Sequence, residues 1–217
     1  MYQKSRLRRI LRPLNIHGLL ALAGILGPLV LIIGDVAAAL TSPSYELVRD
    51  SISSLALTPM GWLQTIGFMA IGLLVEIFVA GLFFNIRGRR GFRLSAGLLV
   101  FFGFGLLLIG AFRTDPAGVP HTIEGTIHSA TATTVFWLFP IAILLLAPSL
   151  RNDPNWKGLF LYSIVTCILS FLFMIAHIWL PDQLSWFGLY ERILVALMVI
   201  WVEVTAIWLL RLSLRRR

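Results

Sequence analysis

Residues 61–86 read GWLQTIGFMAIGLLVEIFVAGLFFNI, and Glu76 is the only ionisable side chain in this stretch. An α-helix rises about 1.5 Å per residue, so about 20 residues cross the roughly 30 Å hydrocarbon core of a bilayer. Comparable apolar stretches lie at about 17–40, 92–112, 126–147, 157–180 and 189–210. None shows the alternation of apolar and polar residues that is typical of a β-barrel strand. The sequence therefore predicts an all-α polytopic membrane protein, a six-transmembrane-helix bundle.

The composition supports one membrane domain over residues 17–210, with basic tails at 1–16 and 211–217. Of the 217 residues, 58% are hydrophobic and only 13% are charged, whereas about 25% of the residues in soluble domains are charged. This composition excludes a disordered chain and argues against a soluble domain. Cys167 is the only cysteine, which excludes an intramolecular disulfide and a cysteine-rich zinc module.

The basic residues are distributed unequally between the two predicted sides of the membrane. Fifteen of the eighteen Lys and Arg residues flank one side, whereas Arg49, Arg113 and Arg192 lie on the other. The positive-inside rule then places both termini in the cytoplasm. The arginine clusters would contact anionic lipid headgroups of the bilayer. Because topology explains the charge, we expect no nucleic-acid partner.

Ionisable groups gather on the opposite, predicted extracytoplasmic face. The candidate ligand-binding residues there are Arg49, Asp50, Arg113, Asp115, Glu124, His128, His177, Glu191 and Arg192. Unpaired charges near lipid are costly, so we expect these groups to share one polar pocket. Such a pocket would bind a lipid headgroup, a small polar ligand, or a partner protein or second copy of the chain. The alternative is that they are ordinary loop charges.

A metal-dependent lipid hydrolase is an alternative, with Asp115, His128 and His177 as catalytic candidates. Zinc would be bound by His121, His128 and His177. The i, i+3, i+7 spacing of His121, Glu124 and His128 predicts one face of the fourth helix. In a regular helix His121 and His128 would be about 10.5 Å apart, too far for one ion. We therefore expect no metal, no cofactor and no enzyme, although zinc, or haem between His128 and His177, stays open.

Three acids, Asp35, Glu76 and Glu203, fall within the predicted spans. A carboxylate at membrane depth normally faces the protein interior. One interpretation is that Glu76 and Glu203, the two deeper acids, are each protonated and hydrogen-bonded to a neighbouring helix. The other is a proton-coupled transporter that uses Glu76 and Glu203, which lie at similar depth.

Several short motifs occur in a recognisable order. They are Ser44-x(5)-Asp50-Ser51-Ile52-Ser53-x-Leu55, Gly61-Trp62, Phe112-x-Thr114-Asp115-Pro116, Thr122-x-x-Gly125-x-x-His128 and Gly188-x-x-Glu191-Arg192. From about residue 18 to 210 the chain resembles the uncharacterised prokaryotic integral membrane family called domain of unknown function 998. The resemblance implies a six-helix protein of a prokaryotic cytoplasmic (inner) membrane, without an assigned activity. More remotely, the chain is similar to Frag/DRAM/Sfk-type six-helix membrane proteins, which is a likeness of fold alone.

Overall fold

The computed structural model describes residues 15–116, 118–179 and 185–215. Six long helices make up most of these residues: α1 (Ile16–Leu40), α2 (Gly61–Asn85), α3 (Phe92–Ala111), α4 (Ile123–Asn152), α5 (Phe160–Trp179) and α6 (Phe187–Arg215). Each is long and apolar enough to cross a membrane, α5 together with the short 3-10 turn Lys157–Leu159. No strand occurs in the described ranges. The six-helix, all-α prediction is confirmed, and the protein is of the multi-pass membrane type.

Helix α6 is longer than the apolar stretch that predicts it. The helix continues to Arg215, so residues 211–215, expected as part of a basic tail, are helical. Leu212 and Ser213 are buried against the bundle, and this packing extends the helix beyond its apolar part. The remaining tail residues, 1–14 and 216–217, lie outside the described residues.

The helices form a closed ring in chain order. Each helix packs on the next, and α6 returns to α1; the α5–α6 contact is the smallest of the six. The described ends meet, since the Asn15 side chain donates to the Ser213 carbonyl at 3.4 Å. We call this end, with loops 86–91 and 153–156, the terminal face. The opposite end, with loops 41–60 and 112–122, is the distal face.

Small residues let the helix backbones approach closely. A Cβ on Gly72 of α2 would lie 2.7 Å from the Gly103 carbonyl oxygen of α3, which is typical of helix packing in membranes. Trp201 of α6 is fully buried and donates to Ser163 Oγ of α5 at 2.9 Å. The outward surfaces are instead rich in exposed Leu, Ile and Phe side chains, as expected of a surface that faces lipid.

The terminal face is closed around Asp153, whose side chain is 1% exposed. Its Oδ2 accepts the Arg87 N–H at 2.9 Å, and its Oδ1 accepts the Asn155 N–H at 2.9 Å. Beside it, the Trp156 indole N–H donates to the Asn85 carbonyl at 3.1 Å. These bonds join the two loops of this face to the end of α2.

Candidate functional site

Arg192 of α6 fixes the first distal loop. Its Nη1 donates to the carbonyl oxygens of Leu47 at 2.6 Å, Asp50 at 2.8 Å and Gly188 at 2.9 Å. Its Nη2 donates to the Tyr45 hydroxyl, and the guanidinium lies 5.5 Å from the Tyr45 ring centroid. Arg192 therefore uses its donors to position the loop rather than to meet a ligand.

Tyr45 connects that guanidinium to the next part of the loop. Its hydroxyl donates to the Ser51 carbonyl at 2.7 Å. Burial raises the pKa of Tyr45 to about 12, so the hydroxyl keeps its proton and remains a donor. The residues just before Ser53 are thereby held in place.

The first turn of α6 also binds this loop. The N–H groups of Gly188 and Leu189 donate to the carbonyls of Arg49 at 3.1 Å and Val48 at 2.9 Å, which satisfies donors that a helix start leaves free. Glu191 Oε2 accepts the Ile52 N–H at 2.5 Å. A Cβ on Gly188 would lie 2.2 Å from the Asp50 carbonyl oxygen, so this close approach requires glycine.

The exposed charges of the first loop pair with one another. Arg49 Nε donates to Asp50 Oδ1 at 2.8 Å, and Arg49 Nη1 lies 3.3 Å from Glu46 Oε2. The hydrogen bond from Arg49 holds the pKa of Asp50 below its usual value, so this carboxylate is charged. Arg49 is therefore largely neutralised by its neighbours.

Asp115 fixes the start of α4. Its carboxylate accepts the Thr122 N–H at 2.9 Å and the Thr122 hydroxyl at 2.8 Å, and Thr122 Oγ1 caps the Gly125 N–H at 3.0 Å. The hydrogen bonds from Thr122 lower the pKa of Asp115. A Cβ on Gly125 would lie 2.0 Å from Asp115 Oδ2. The carboxylate thus occupies space that only a glycine leaves free.

His121 lies before α4, not within it. The helix begins at Ile123 with Thr122 as its N-cap, and the His121 side chain is 79% exposed, 3.4 Å from Asp115. The prediction that His121 shares a helical face with His128 is therefore wrong, because the Thr122 cap starts the helix too late. Glu124 is in the first turn and accepts the Arg113 N–H at 3.0 Å.

His128 is buried, with 4% exposure, and binds a serine across the distal face. Its Nδ1 lies 2.7 Å from the Phe112 carbonyl oxygen at the end of α3, and its Nε2 lies 3.0 Å from Ser53 Oγ. Because a carbonyl can only accept, Nδ1 carries the proton. In the neutral ring, Nε2 then accepts the hydroxyl proton of Ser53, which begins the short 3-10 helix Ser53–Leu57.

Ser53 and His128 line a cavity of about 660 Å³ between α4, α5, α6 and the two distal loops. Its outer part is polar and its inner part is apolar. The inner lining includes Phe136, Met174 and Leu194, which lie further along their helices from the distal face. A cavity of this volume lies within the range for small-molecule sites, about 300–1,000 Å³.

His177 of α5 lies on the same cavity wall. Its ring stacks on Tyr190, with centroids 5.9 Å apart and an interplanar angle of 13°. Its Nδ1 is buried and has no hydrogen-bond partner in the described part of the chain. A buried polar atom without a partner is unusual, but this nitrogen has almost no accessible surface, so the ring borders the cavity through its other atoms.

The chain matches the family model described as Protein of unknown function (DUF998) over residues 25–208. It belongs to this family. Comparison with curated proteins and with solved structures gives no match. The family resemblance that the motifs indicate is confirmed, whereas the more remote similarity to Frag/DRAM/Sfk-type proteins stays a prediction.

In this family member, the motif residues meet on the distal face. Ser53, Phe112 and His128 come from three separate motifs and form one hydrogen-bonded chain. Gly125 makes room for Asp115, and Gly188 makes room for the first loop. The motifs therefore describe one assembled region.

Of the nine candidate ligand-binding residues, six line the large cavity. These are Arg49, Asp50, Asp115, His128, His177 and Glu191. Arg113 lines a small adjacent cavity that Ser53 and His128 also border. Glu124 and Arg192 line neither cavity; both bind backbone groups instead.

The possible metal ligands do not assemble. Among the residues that the structure describes, no three His, Cys, Asp or Glu side chains form a group that could bind a metal ion. Both nitrogens of His128 are hydrogen-bonded, so zinc or haem ligation would require one of these bonds to break. The expectation that the chain carries no cofactor stays a prediction.

The three intramembrane acids lie in different surroundings. Asp35 is beside Gln64 of α2, and one oxygen of each has no hydrogen-bond partner within the described ranges. Glu76 lies against α3, where a Cβ on Gly103 would be 2.9 Å from its Cγ. Glu203 lies on α6 with Oε2 buried and unpartnered in the described chain. No hydrogen bond between described residues joins Glu76 to Glu203.

Sequence reasoning missed Ser53, Tyr45 and Gln64 as functional candidates. Ser53 stands among the serines of residues 51–54, a signal that sequence alone does not separate from an ordinary polar loop. Gln64 could have been noticed as an uncharged polar residue in an apolar helix, and it is 1% exposed. Tyr45 gives no comparable signal.

Proposed function

We propose that the distal cavity binds the headgroup and adjoining acyl region of an amphipathic lipid. The observation that carries this proposal is the division of one 660 Å³ cavity into a polar outer part and an apolar inner part. A lipid headgroup with the first part of its chains has this same division.

The charges around the cavity favour a zwitterionic headgroup over a purely anionic one. Asp50, Asp115 and Glu191 line it together with a single arginine, Arg49. Arg192, one of the candidate ligand-binding residues, is bound to loop carbonyls. An ammonium group beside the carboxylates, and near the Tyr190 ring, would complement this lining.

Native mass spectrometry of the detergent-purified protein tests the proposal with phosphatidylethanolamine as the zwitterionic probe and phosphatidylglycerol as the anionic one. We expect about one phosphatidylethanolamine per chain. Replacing Ala132 with Phe fills the cavity and should reduce this binding about tenfold or more, since each 1.4 kcal/mol is tenfold. Ala130→Phe, two residues away on the exposed side of α4, is the matched control.

Two results would overturn the proposal. One is a wild-type protein that retains neither lipid. The other is an Ala132→Phe variant that binds phosphatidylethanolamine as well as the Ala130→Phe control does. Preferential retention of phosphatidylglycerol would reject the zwitterionic preference.

We infer that the distal face is extracytoplasmic and that both termini are in the cytoplasm of a prokaryotic cell. Of the described loops, 86–91 on the terminal face contains Arg87, Arg89 and Arg90, and the positive-inside rule places such loops in the cytoplasm. In intact cells, an impermeant maleimide should label Val119→Cys but not Arg90→Cys. The native Cys167 is buried and should give little background. Labelling of Arg90→Cys would show that the terminal face, and not the distal face, is extracytoplasmic.

A further inference from the structure

We propose that Ser53 is the nucleophile and His128 the general base of an esterase or acyl-transfer site that acts on an ester bond of the bound lipid. This inference rests on the proposed lipid binding and adds chemistry to it. It concerns a serine and a histidine without a metal, and so differs from the zinc hydrolase considered from the sequence.

The geometry satisfies the requirements for an activated serine. Ser53 Oγ lies 3.0 Å from His128 Nε2, within the 2.6–3.2 Å expected of a nucleophile and its base. The Phe112 carbonyl, 2.7 Å from Nδ1, fixes the tautomer in which Nε2 can take a proton. This third group orients the histidine as the carboxylate does in a serine triad.

The accessibility of Ser53 from the cavity distinguishes this pair from a purely structural hydrogen bond. Ser163 also bonds a large side chain, the Trp201 indole, but Ser163 is fully buried in the core. Ser53 is half-buried and borders the large cavity, while the base behind it is 4% exposed. A reacting carbonyl in the cavity would therefore reach the serine, while His128 stays enclosed by protein.

The chemical step balances without any redox partner. Ser53 Oγ bonds to the carbonyl carbon of a lipid ester as its proton passes to His128 Nε2. The bond to the alcohol oxygen then breaks, and His128 returns the proton to that oxygen, which leaves an acyl ester on Ser53. Water, or the hydroxyl or amine of an acceptor, attacks this ester and gives its proton to His128. The bond between the acyl carbon and Ser53 Oγ then breaks, His128 returns the proton to Ser53 Oγ, and the acyl group leaves on the attacking atom.

Arg113 supplies positive charge near the reacting centre. It lines a small cavity bounded by Ser53 and His128, and no ion pair engages it in the described part of the chain. A cation aimed at the oxygen that becomes negative during acyl transfer stabilises the transition state. For Arg113 to act in this way, the carbonyl oxygen of the bound ester would have to point from the large cavity toward the small one.

A fluorophosphonate probe tests the nucleophile directly on the full-length protein in detergent. We expect the wild type to be labelled, with peptide mass spectrometry locating the adduct on Ser53. Ser53→Ala should abolish labelling, and His128→Gln should reduce its rate about 100-fold, as expected for loss of a general base. Ser44→Ala, an exposed serine in the same loop, should be labelled like the wild type.

A second measurement separates the chemistry from lipid binding. Phosphatidylethanolamine with an isotope-labelled acyl chain should yield free labelled fatty acid, or an acyl adduct on Ser53, with the wild type. Ser53→Ala should retain the intact lipid in native mass spectrometry and release nothing. This variant removes one oxygen and leaves the cavity in place.

The outcomes are distinct. A wild type that binds the lipid but gives neither probe label nor acyl release would overturn the catalytic inference alone. Labelling that persists at the same rate in folded His128→Gln would overturn the role of the base. A wild type that binds no lipid would instead reject the proposed function on which the inference rests.

Discussion

The buried polar side chains at the two ends of the bundle have different kinds of hydrogen-bond partner. On the terminal face, Asp153 is 1% exposed and accepts only backbone N–H groups. On the distal face, His128 is 4% exposed and binds one carbonyl and one side-chain hydroxyl, which itself borders a large cavity. The first arrangement closes a loop junction, whereas the second leaves the Ser53 hydroxyl at the edge of the cavity. Burial alone therefore does not distinguish a structural group from a functional one; its partners do.

Replacing Asp153 with Ala should have the largest effect on stability. The change leaves the partly buried Arg87 and Asn155 N–H groups without their acceptor, which should cost about 2–4 kcal/mol in free energy of unfolding. Asn152→Ala, at the exposed neighbouring position, should cost under about 0.5 kcal/mol. Unfolding in denaturing detergent measures both.

The same variant tests the division between the faces. At a temperature where Asp153→Ala is folded, lipid retention at the distal cavity should match the wild type. An Asp153→Ala protein as stable as Asn152→Ala would contradict the structural role of the terminal face.

Replacing Arg192 with Gln should have an intermediate effect, confined to the distal face. The loss of charge-assisted hydrogen bonds to loop carbonyls should destabilise the protein by about 2 kcal/mol. Hydrogen exchange should rise in residues 45–52 and stay unchanged in loop 86–91. Arg49→Gln, which removes an exposed ion pair, should leave stability unchanged within error. Equal effects of the two substitutions would show that Arg192 does not fix the loop.

Lowering the pH should destabilise the distal face, and this effect should be smaller than the effects of Asp153→Ala and Arg192→Gln. The pKa values of Asp50 and Asp115 are lowered in the folded state. Each carboxylate therefore favours folding above its unfolded pKa of about 3.9, and this contribution is lost as the pH falls through the lower folded value. Below about pH 4, hydrogen exchange should rise in residues 112–125.

Asp115→Asn identifies the source of that acid effect. At neutral pH this variant should be less stable than the wild type, because it lacks the charged acceptor of the Thr122 hydrogen bonds. The difference should shrink as the wild-type carboxylate is protonated. A difference that stays constant from pH 7 to pH 3 would reject the contribution of Asp115.

The fold could be predicted from sequence because apolar length is a local property. The apolar stretch around Glu76 is long enough to span a bilayer independently of the rest of the chain, and the bounds of α2 nearly coincide with it. The gathering of Asp50, Asp115 and His128 also followed, since alternating helices return every second loop to the same end. Local capping decided the exception, His121, which Thr122 excludes from the helix.

The detailed partnerships could not be predicted. Ser53 and His128 are 75 positions apart, and no local pattern fixes which polar side chains meet across two helices and a loop. Arg192 has the charge of a ligand-binding residue, but two of the backbone carbonyls that it binds, those of Leu47 and Asp50, lie 145 and 142 positions away. Sequence thus identified which residues are polar and where they gather, while long-range packing determined their partners.

Because the first distal loop is attached to α6, the distance between Ser53 Oγ and His128 Nε2 depends on how far α4 and α6 lie apart. Arg192 and Glu191 tie the segment just before Ser53 to α6, whereas His128 belongs to α4. These two helices also form walls of the cavity. A ligand that wedges them apart lengthens the 3.0 Å bond, and one that fits without spreading them preserves it. Under the proposed lipid binding, the thickness of the lipid would thereby be coupled mechanically to the alignment of serine and histidine.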